Sequence, residues 1–166
     1  MSDSKPTLDP ENTLHLDLKQ GRVVIQLFPD IAPMHVTQIK TLVRKGFYDG
    51  TVFHRVIEGF MAQGGDPTGT GTGGSDLDDI RAEFSAKAKF GRGTCGMARS
   101  QSQHSANSQF FIMFEPASHL NGQYTIWGQV VEGMELVDQL KRGSGGGGTV
   151  SNPDKIEKFS VAADAP

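Results

Sequence analysis

The sequence predicts a mainly β domain, in which eight short antiparallel strands form a closed β-barrel capped by two α-helices. Three observations support this fold class. Short apolar or alternating segments recur along the chain, and 21 glycines allow many tight turns. Strands and helices do not alternate as a parallel sheet would require. The 166 residues suit one core, so residues 1–166 are predicted to form a single domain with a loose N-terminal arm at 1–13.

The N-terminal half contains four predicted strands and one helix. Leucines at alternate positions from Leu14 to Leu18 indicate a half-buried strand. Pro33 suits the first turn of a helix, where its missing N–H costs little. Apolar residues then follow at helical spacing until Gly46, which is a plausible end of the helix. The predicted elements are strands at 14–18, 22–28, 52–57 and 59–65 and a helix at 33–45.

The C-terminal half contains four more predicted strands and a second helix. Their apolar runs predict strands at 94–98, 109–114, 124–130 and 155–161 and a helix at 134–140. The segment 143–148 reads Gly-Ser-Gly-Gly-Gly-Gly. An interdomain linker is one interpretation, but only a strand-length tail follows. A surface loop before the last strand is therefore favoured.

A second glycine-rich stretch, 69–74, formally matches the G-x-G-x-x-G pattern of dinucleotide-binding turns. Such a turn needs a strand before it and an apolar helix after it. Here an acidic segment, 75–79, follows and is unsuited to a pyrophosphate. We interpret this stretch as a surface loop and predict no cofactor.

Composition excludes several other functions. A net charge of −3 and a pI near 5.9 argue against nucleic acid as a partner. No apolar run approaches the roughly 20 residues of a membrane helix, so no membrane association is expected. The N-terminus lacks the apolar core of a secretory signal, and Cys95 is the only cysteine. These features predict a cytoplasmic protein, and the absence of a long apolar stripe favours a monomer.

The titratable residues give no sign of metal or nucleophilic chemistry. The five histidines lack the spacing of a metal site. Cys95 lies inside a predicted strand, where a buried, inert thiol is the usual case. We therefore predict no metal.

The segment 53–67 is the most informative part of the chain. Strand alternation places Arg55 beside apolar residues, and Phe60, Met61 and Gln63 follow within a short distance. A cation, an amide and large apolar groups would thus meet in a small space. The plain alternative is a surface arginine above an ordinary core, and periodicity alone favours neither interpretation.

Segment 53–67 resembles the signature of the cyclophilins, and so do 108–112, 120–122, 127–134 and the turn 46–50. The resemblance covers about residues 22–140, with the motifs in family order, and its overall style resembles bacterial cyclophilins. It implies a peptidyl-prolyl cis/trans isomerase, which rotates Xaa-Pro peptide bonds and assists protein folding without a cofactor. The implied partners are proline-containing peptides and unfolded or folded client proteins.

The resemblance also implies the site residues. Arg55 matches the catalytic arginine, and Phe60 and Gln63 complete the catalytic set. The implied substrate-binding residues are Met61, Ala98, Arg99, Gln109, Phe111, His119, Leu120 and Tyr124. Arg99 is expected to act mainly through its backbone.

The chain departs from the family pattern at three of these positions. His119 stands where tryptophan is frequent, Tyr124 where histidine is frequent, and Arg99 where asparagine is frequent. Cyclosporin binding is therefore expected to be weak. The alternative function is a proline-peptide binding or chaperone module with little catalysis, because a fold does not by itself establish an activity.

Overall fold

Eight strands form a single sheet in the computed structural model, which describes residues 9–145 and 147–164. In chain order the strands are β1 Thr13–Leu18, β2 Gly21–Leu27, β3 Arg55–Ile57, β4 Met61–Gly64, β5 Thr94–Met97, β6 Phe110–Met113, β7 Ile126–Glu132 and β8 Lys158–Val161. The α-helices are α1 Pro33–Arg44 and α2 Met134–Val137, and short 3₁₀ turns lie at Pro10–Asn12, Ser118–Leu120 and Ala162–Asp164. None of the described helices has the length and apolar character needed to cross a membrane.

The sheet order is β3-β4-β6-β5-β7-β2-β1-β8, and every pairing is antiparallel. The mainly β character, the eight antiparallel strands and the two helices are as predicted. The predicted closure is wrong, because β3 and β8 are the two edges of an open half-barrel.

Isolated contacts span the gap between these edges. Gly50 N donates to Ile156 O at 2.8 Å, and Val56 N donates to Gly148 O at 2.9 Å. A continuous ladder does not form: the segment facing β3 is rich in glycine, and Pro153, which lies between that segment and β8, has no N–H to donate.

Several predicted elements differ in length. Residues 52–54 do not belong to β3, and Val52 makes only isolated bridges. Helix α2 ends at Val137, since Gln139 N and Leu140 N bond three residues back instead of four.

The part of the predicted N-terminal arm that the structure describes is not loose. Residues 10–12 form a 3₁₀ turn, and Thr13 begins β1. Glu11 pairs with Lys40 and Arg44 of α1. Residues 1–8 of the predicted arm lie outside the described residues.

Strand β6 separates two apolar clusters, because its successive side chains point to opposite faces. Phe110 and Ile112 join the main core, which also contains Trp127 and the buried face of α1. Phe111 and Met113 join a smaller cluster on the other face. All four residues of β6 are buried, which explains the continuous apolar run in the sequence. The smaller cluster forms the base of the candidate site.

Candidate active site

Arg55 and Gln63 face each other across the β3–β4 pair. Arg55 Nη1 donates a 3.1 Å hydrogen bond to Gln63 Oε1, and Gln63 Nε2 donates a 2.9 Å bond to Gln109 Oε1. Gln109 Nε2 in turn donates to the carbonyls of Gly71 and Gly73, both at 3.0 Å. A chain of side-chain hydrogen bonds thus connects the guanidinium to the loop that follows β4.

A second contact holds the guanidinium from the opposite direction. Arg55 Nε donates a 2.9 Å hydrogen bond to the carbonyl of Gly147. Among the described residues, no acceptor binds Nη2 of Arg55. The charged group is therefore anchored at two nitrogens, with one N–H edge left for another ligand.

A cavity of about 360 Å³ with mixed polar and apolar walls opens beside Arg55. Its base is formed by Met61, Phe111 and Leu120, which are buried, and Phe60 is half-buried at one side. Phe90 stacks beneath Phe111 at 5.6 Å and supports its ring. The cavity is lined by ten of the eleven predicted site residues: Arg55, Phe60, Met61, Gln63, Ala98, Arg99, Phe111, His119, Leu120 and Tyr124.

Aromatic contacts shape the rim of this cavity. His119 stacks on Phe60 with ring centroids 6.0 Å apart, and Tyr124 meets Phe111 edge to face at 5.7 Å. The Arg99 guanidinium lies over the Tyr124 ring at 4.5 Å and donates from Nη2 to Gln123 O at 2.8 Å. Although Arg99 was expected to act through its backbone, its side chain also lines the cavity.

Gln109, the remaining predicted residue, lines a neighbouring cavity of about 520 Å³. This cavity is more polar, with Asn107 and Ser108 among its walls, and it shares Gln63, Ala98 and Arg99 with the first. Ala98 N donates to Gln109 O at 3.0 Å. The two cavities therefore meet where the backbones of Ala98 and Gln109 are paired.

The sequence analysis missed Asp66, which is buried behind Gln109. Its carboxylate accepts hydrogen bonds from Thr68 N at 2.8 Å, from the Thr68 hydroxyl and from Gly71 N. Burial alone would raise the pKa of Asp66, but the bonds from Thr68, Gly73 and Gly71 outweigh it and lower the pKa to about 2. The Asp-x-Thr spacing at 66–68, typical of a side-chain-stabilised turn, is the signal that could have identified it.

The described residues that line the cavity include no cysteine, serine, threonine or carboxylate side chain. Cys95 is fully buried, and burial raises the pKa of its thiol. His54 is buried next to Arg55, and burial lowers its pKa, so the ring is neutral near pH 7. Among residues 9–145 and 147–164, no three histidine, cysteine or acidic side chains are grouped as metal ligands. The arrangement suits a fixed cation acting on a ligand held in an apolar pocket.

Comparison with known proteins agrees with the resemblance that the sequence shows to the cyclophilins. The family model described as cyclophilin type peptidyl-prolyl cis-trans isomerase/CLD matches residues 13–161. A probable peptidyl-prolyl cis-trans isomerase of Brucella suis is 56% identical over 168 residues, which cover 94% of this chain and 85% of the relative. A peptidyl-prolyl cis-trans isomerase of Arabidopsis thaliana is 42% identical over 142 residues, covering 82% of this chain and 85% of the relative.

Solved structures show the same architecture. A cyclophilin from Hirschia baltica has a TM-score of 0.86 at 28% identity, covering 97% of this chain and 77% of that protein. A cyclophilin type peptidyl-prolyl cis-trans isomerase of Cryptosporidium parvum, crystallised in the presence of the dipeptide Ala-Pro, has a TM-score of 0.84 at 30% identity. The match covers 90% of this chain and 98% of that protein.

Proposed function

The chain belongs to the family of cyclophilin-type peptidyl-prolyl cis-trans isomerases, and from this premise we propose how its residues perform the reaction. The activity is rotation about Xaa-Pro peptide bonds. One observation carries the proposal: the tethered guanidinium of Arg55 lies at the edge of a cavity of about 360 Å³ whose base is apolar. We assign the catalytic role to Arg55, assisted by Gln63 and Phe60.

The reaction needs no covalent bond to break. Amide resonance holds the Xaa-Pro bond planar, with a barrier of about 18–20 kcal/mol, so the uncatalysed reaction takes about 10–100 s. Twisting the amide makes the prolyl nitrogen pyramidal and exposes its lone pair. A donor that binds this nitrogen stabilises the twisted state more than the planar one, which is the requirement for catalysis.

Arg55 suits this donor role. An arginine stays charged at any ordinary pH, and its planar fork does not reorient when two of its nitrogens are already bonded. Its Nε and Nη1 are held by Gly147 and Gln63, and Nη2, which has no acceptor among the described residues, is left to donate to a substrate. A preorganised charged donor of this kind stabilises a transition state without rearrangement during the reaction.

The apolar wall of the cavity holds the proline ring while the bond rotates. Met61, Phe111 and Leu120 form its base, and Phe60 forms one side. The Cryptosporidium parvum structure was obtained with Ala-Pro, which supports proline-containing peptides as the ligands here. Residues flanking the proline would lie along the edge formed by Ala98 and Gln109.

The remaining residues define the rim. We assign Arg99, Tyr124 and His119 to contacts with the substrate outside the proline ring. Cyclosporin binding is proposed to be weak, because the rim presents the imidazole of His119 instead of an indole. We further propose that the natural ligands are client proteins with exposed Xaa-Pro bonds. The protein is proposed to be a monomer and to be located in the cytoplasm.

The test is isomerisation of a peptide containing Ala-Pro, measured by NMR exchange with wild type beside Arg55→Ala. Removing a preorganised donor costs about 10²- to 10³-fold in kcat, and we expect a loss of that size with peptide affinity largely retained. Arg22→Ala, at a surface arginine of β2 outside the cavity, is the matched control. Catalysis that survives in Arg55→Ala would remove Arg55 from this role. A folded wild type that binds the peptide without isomerising it would favour the binding module.

A further inference from the structure

Residues 143–145 and 147–148 of the glycine-rich segment lie directly against β3, the strand that carries Arg55. Gly143 N donates to Val56 O at 2.8 Å, and Val56 N donates to Gly148 O at 2.9 Å. Thr149 forms an antiparallel bridge with Arg55 itself. These contacts attach the segment to the edge of the sheet on both sides of one residue, Val56.

This attachment places one carbonyl next to the guanidinium. Gly147 O accepts the 2.9 Å hydrogen bond from Arg55 Nε, whereas Gln63 Oε1 accepts from Nη1 at 3.1 Å. A single bond would leave the planar group free to rotate about that contact. Two bonds at different nitrogens define its plane and therefore the direction of Nη2.

The close approach depends on glycine at two positions. A Cβ at residue 148 would lie 2.5 Å from Ile57 Cγ1 and 3.2 Å from Val56 O, and the φ of Gly148 is +69°. A Cβ at residue 143 would lie 1.8 Å from Gly148 O. Gly145 has a similar φ of +73°, but a Cβ there would meet nothing within 4 Å. Glycine is thus required at residue 148 for contact with β3, and at residue 143 for the close approach of residue 148.

We propose that Gly147 is a positioning residue for the isomerase reaction, and that the glycines at 143 and 148 exist to bring its carbonyl within reach of Arg55. The inference rests on the proposed role of Arg55. It assigns to the glycine-rich segment a function in catalysis, in addition to its role as a connection between α2 and β8. Displacing the segment leaves the cavity in place and releases one of the two bonds on the guanidinium.

The test compares Gly148→Ala with Gly145→Ala. Both introduce a Cβ at a left-handed φ of nearly equal value, but only Gly148→Ala collides with β3. Because small misplacements of a catalytic group can cost about a hundredfold, we expect kcat of Gly148→Ala to fall about tenfold to a hundredfold. KM should change little, and Gly145→Ala should retain the wild-type kcat.

A spectroscopic measurement separates positioning from a loss of stability. The Arg55 Nε–H resonance of the wild type should be protected from solvent exchange by its bond to Gly147. In Gly148→Ala the resonance should shift and exchange faster, and in Gly145→Ala it should not. If Gly148→Ala fails to fold, the trans-hydrogen-bond coupling between Arg55 ¹⁵Nε and Gly147 ¹³C′ in labelled wild type decides the question, and its absence overturns the inference.

The outcomes distinguish this inference from the proposed function. An active wild type with equal kcat in the two alanine variants would overturn the positioning role alone. A wild type whose activity does not depend on Arg55 would overturn the role of Arg55 and this inference together. A fall in kcat confined to Gly148→Ala, accompanied by the change at Arg55 Nε–H, supports it.

Discussion

The side-chain amide of Gln63 donates a 2.9 Å hydrogen bond to Oε1 of Gln109. Gln63 lies on β4 and Gln109 comes immediately before β6, so the bond crosses between neighbouring strands. The oxygen of the same Gln63 amide accepts from Arg55. One amide therefore connects the guanidinium of Arg55, through Gln109, to the loop that follows β4. Its removal affects both contacts.

Gln63→Ala should lower kcat about tenfold, a smaller loss than in Arg55→Ala, because one of two bonds to the guanidinium remains. Peptide affinity should fall as well, since Gln109 loses its donor. Steady-state kinetics on the Ala-Pro peptide measure both effects. Gln139→Ala, at an exposed glutamine far from the cavity, is the control. Wild-type kinetics in Gln63→Ala would contradict the role of this amide.

Phe111→Ala should impair both stability and substrate binding. Phe111 is buried against Phe90, and removing such a ring typically lowers the free energy of unfolding by about 3–5 kcal/mol. KM should rise, because the base of the cavity is lost. Phe159→Ala, in the main core, should cause a similar loss of stability without raising KM. Denaturant unfolding and steady-state kinetics make the comparison, and an equal rise in KM for both variants would count against this cavity as the proline site.

Because the pKa of Asp66 is lowered by folding, we expect this carboxylate to make the free energy of unfolding depend on pH. Its pKa is lowered to about 2 in the folded chain, from an ordinary value near 4. The charged form is therefore favoured by folding, and the stabilisation is present above pH 4 and lost as the pH falls through about 2. A depression of about two pKa units corresponds to about 2–3 kcal/mol.

Asp66→Asn should therefore lower the free energy of unfolding at pH 7 by about 2 kcal/mol or more, since an amide nitrogen would face N–H donors. The difference from wild type should shrink steadily below pH 4. Urea titrations from pH 7 to pH 2 measure it, with Asp76→Asn, at an exposed carboxylate, as the control. A difference that stays constant with pH would show that the charge of Asp66 is not responsible.

His119→Trp should strengthen cyclosporin binding. The imidazole stacks on Phe60 at the rim. The resemblance associates a tryptophan at this position with cyclosporin binding, and its indole would add an N–H donor. One hydrogen bond contributes about 1 kcal/mol, so we expect about a fivefold gain in affinity. Isothermal titration calorimetry measures it, with His119→Phe as the control that stacks without donating. Equal affinities in the two variants would show that the indole N–H has no part.

Local patterns were sufficient to predict most of the strands. Alternating leucines located β1, and an unbroken apolar run located β6, although the run did not reveal that its residues divide between two clusters. Periodicity alone left Arg55 undecided between a surface residue and a site residue. The cyclophilin resemblance resolved that choice, because it linked Arg55 to motifs that are distant in sequence.

Contacts between segments that are distant in sequence could not be predicted from such local patterns. Arg55 and Gly147 are 92 positions apart, and nothing in either segment indicates the other. The open edge between β3 and β8 depends on how two irregular segments meet, which is a tertiary property. The predicted extent of α2 failed for a similar reason: Leu140 is buried as its spacing suggested, but a tighter turn places it there.

The apolar base of the candidate site and its arginine lie on different strands of the sheet, and the two strands should differ in mobility. Phe111 lies on β6, which has a strand on each side, whereas Arg55 lies on β3, which has a strand on one side only. Local opening costs less at the edge of a sheet than at its centre. Amide exchange should accordingly be faster in β3 than in β6. The proline ring would then rest on a rigid base, and transient opening of β3 between turnovers would let a peptide enter and leave without disturbing the core.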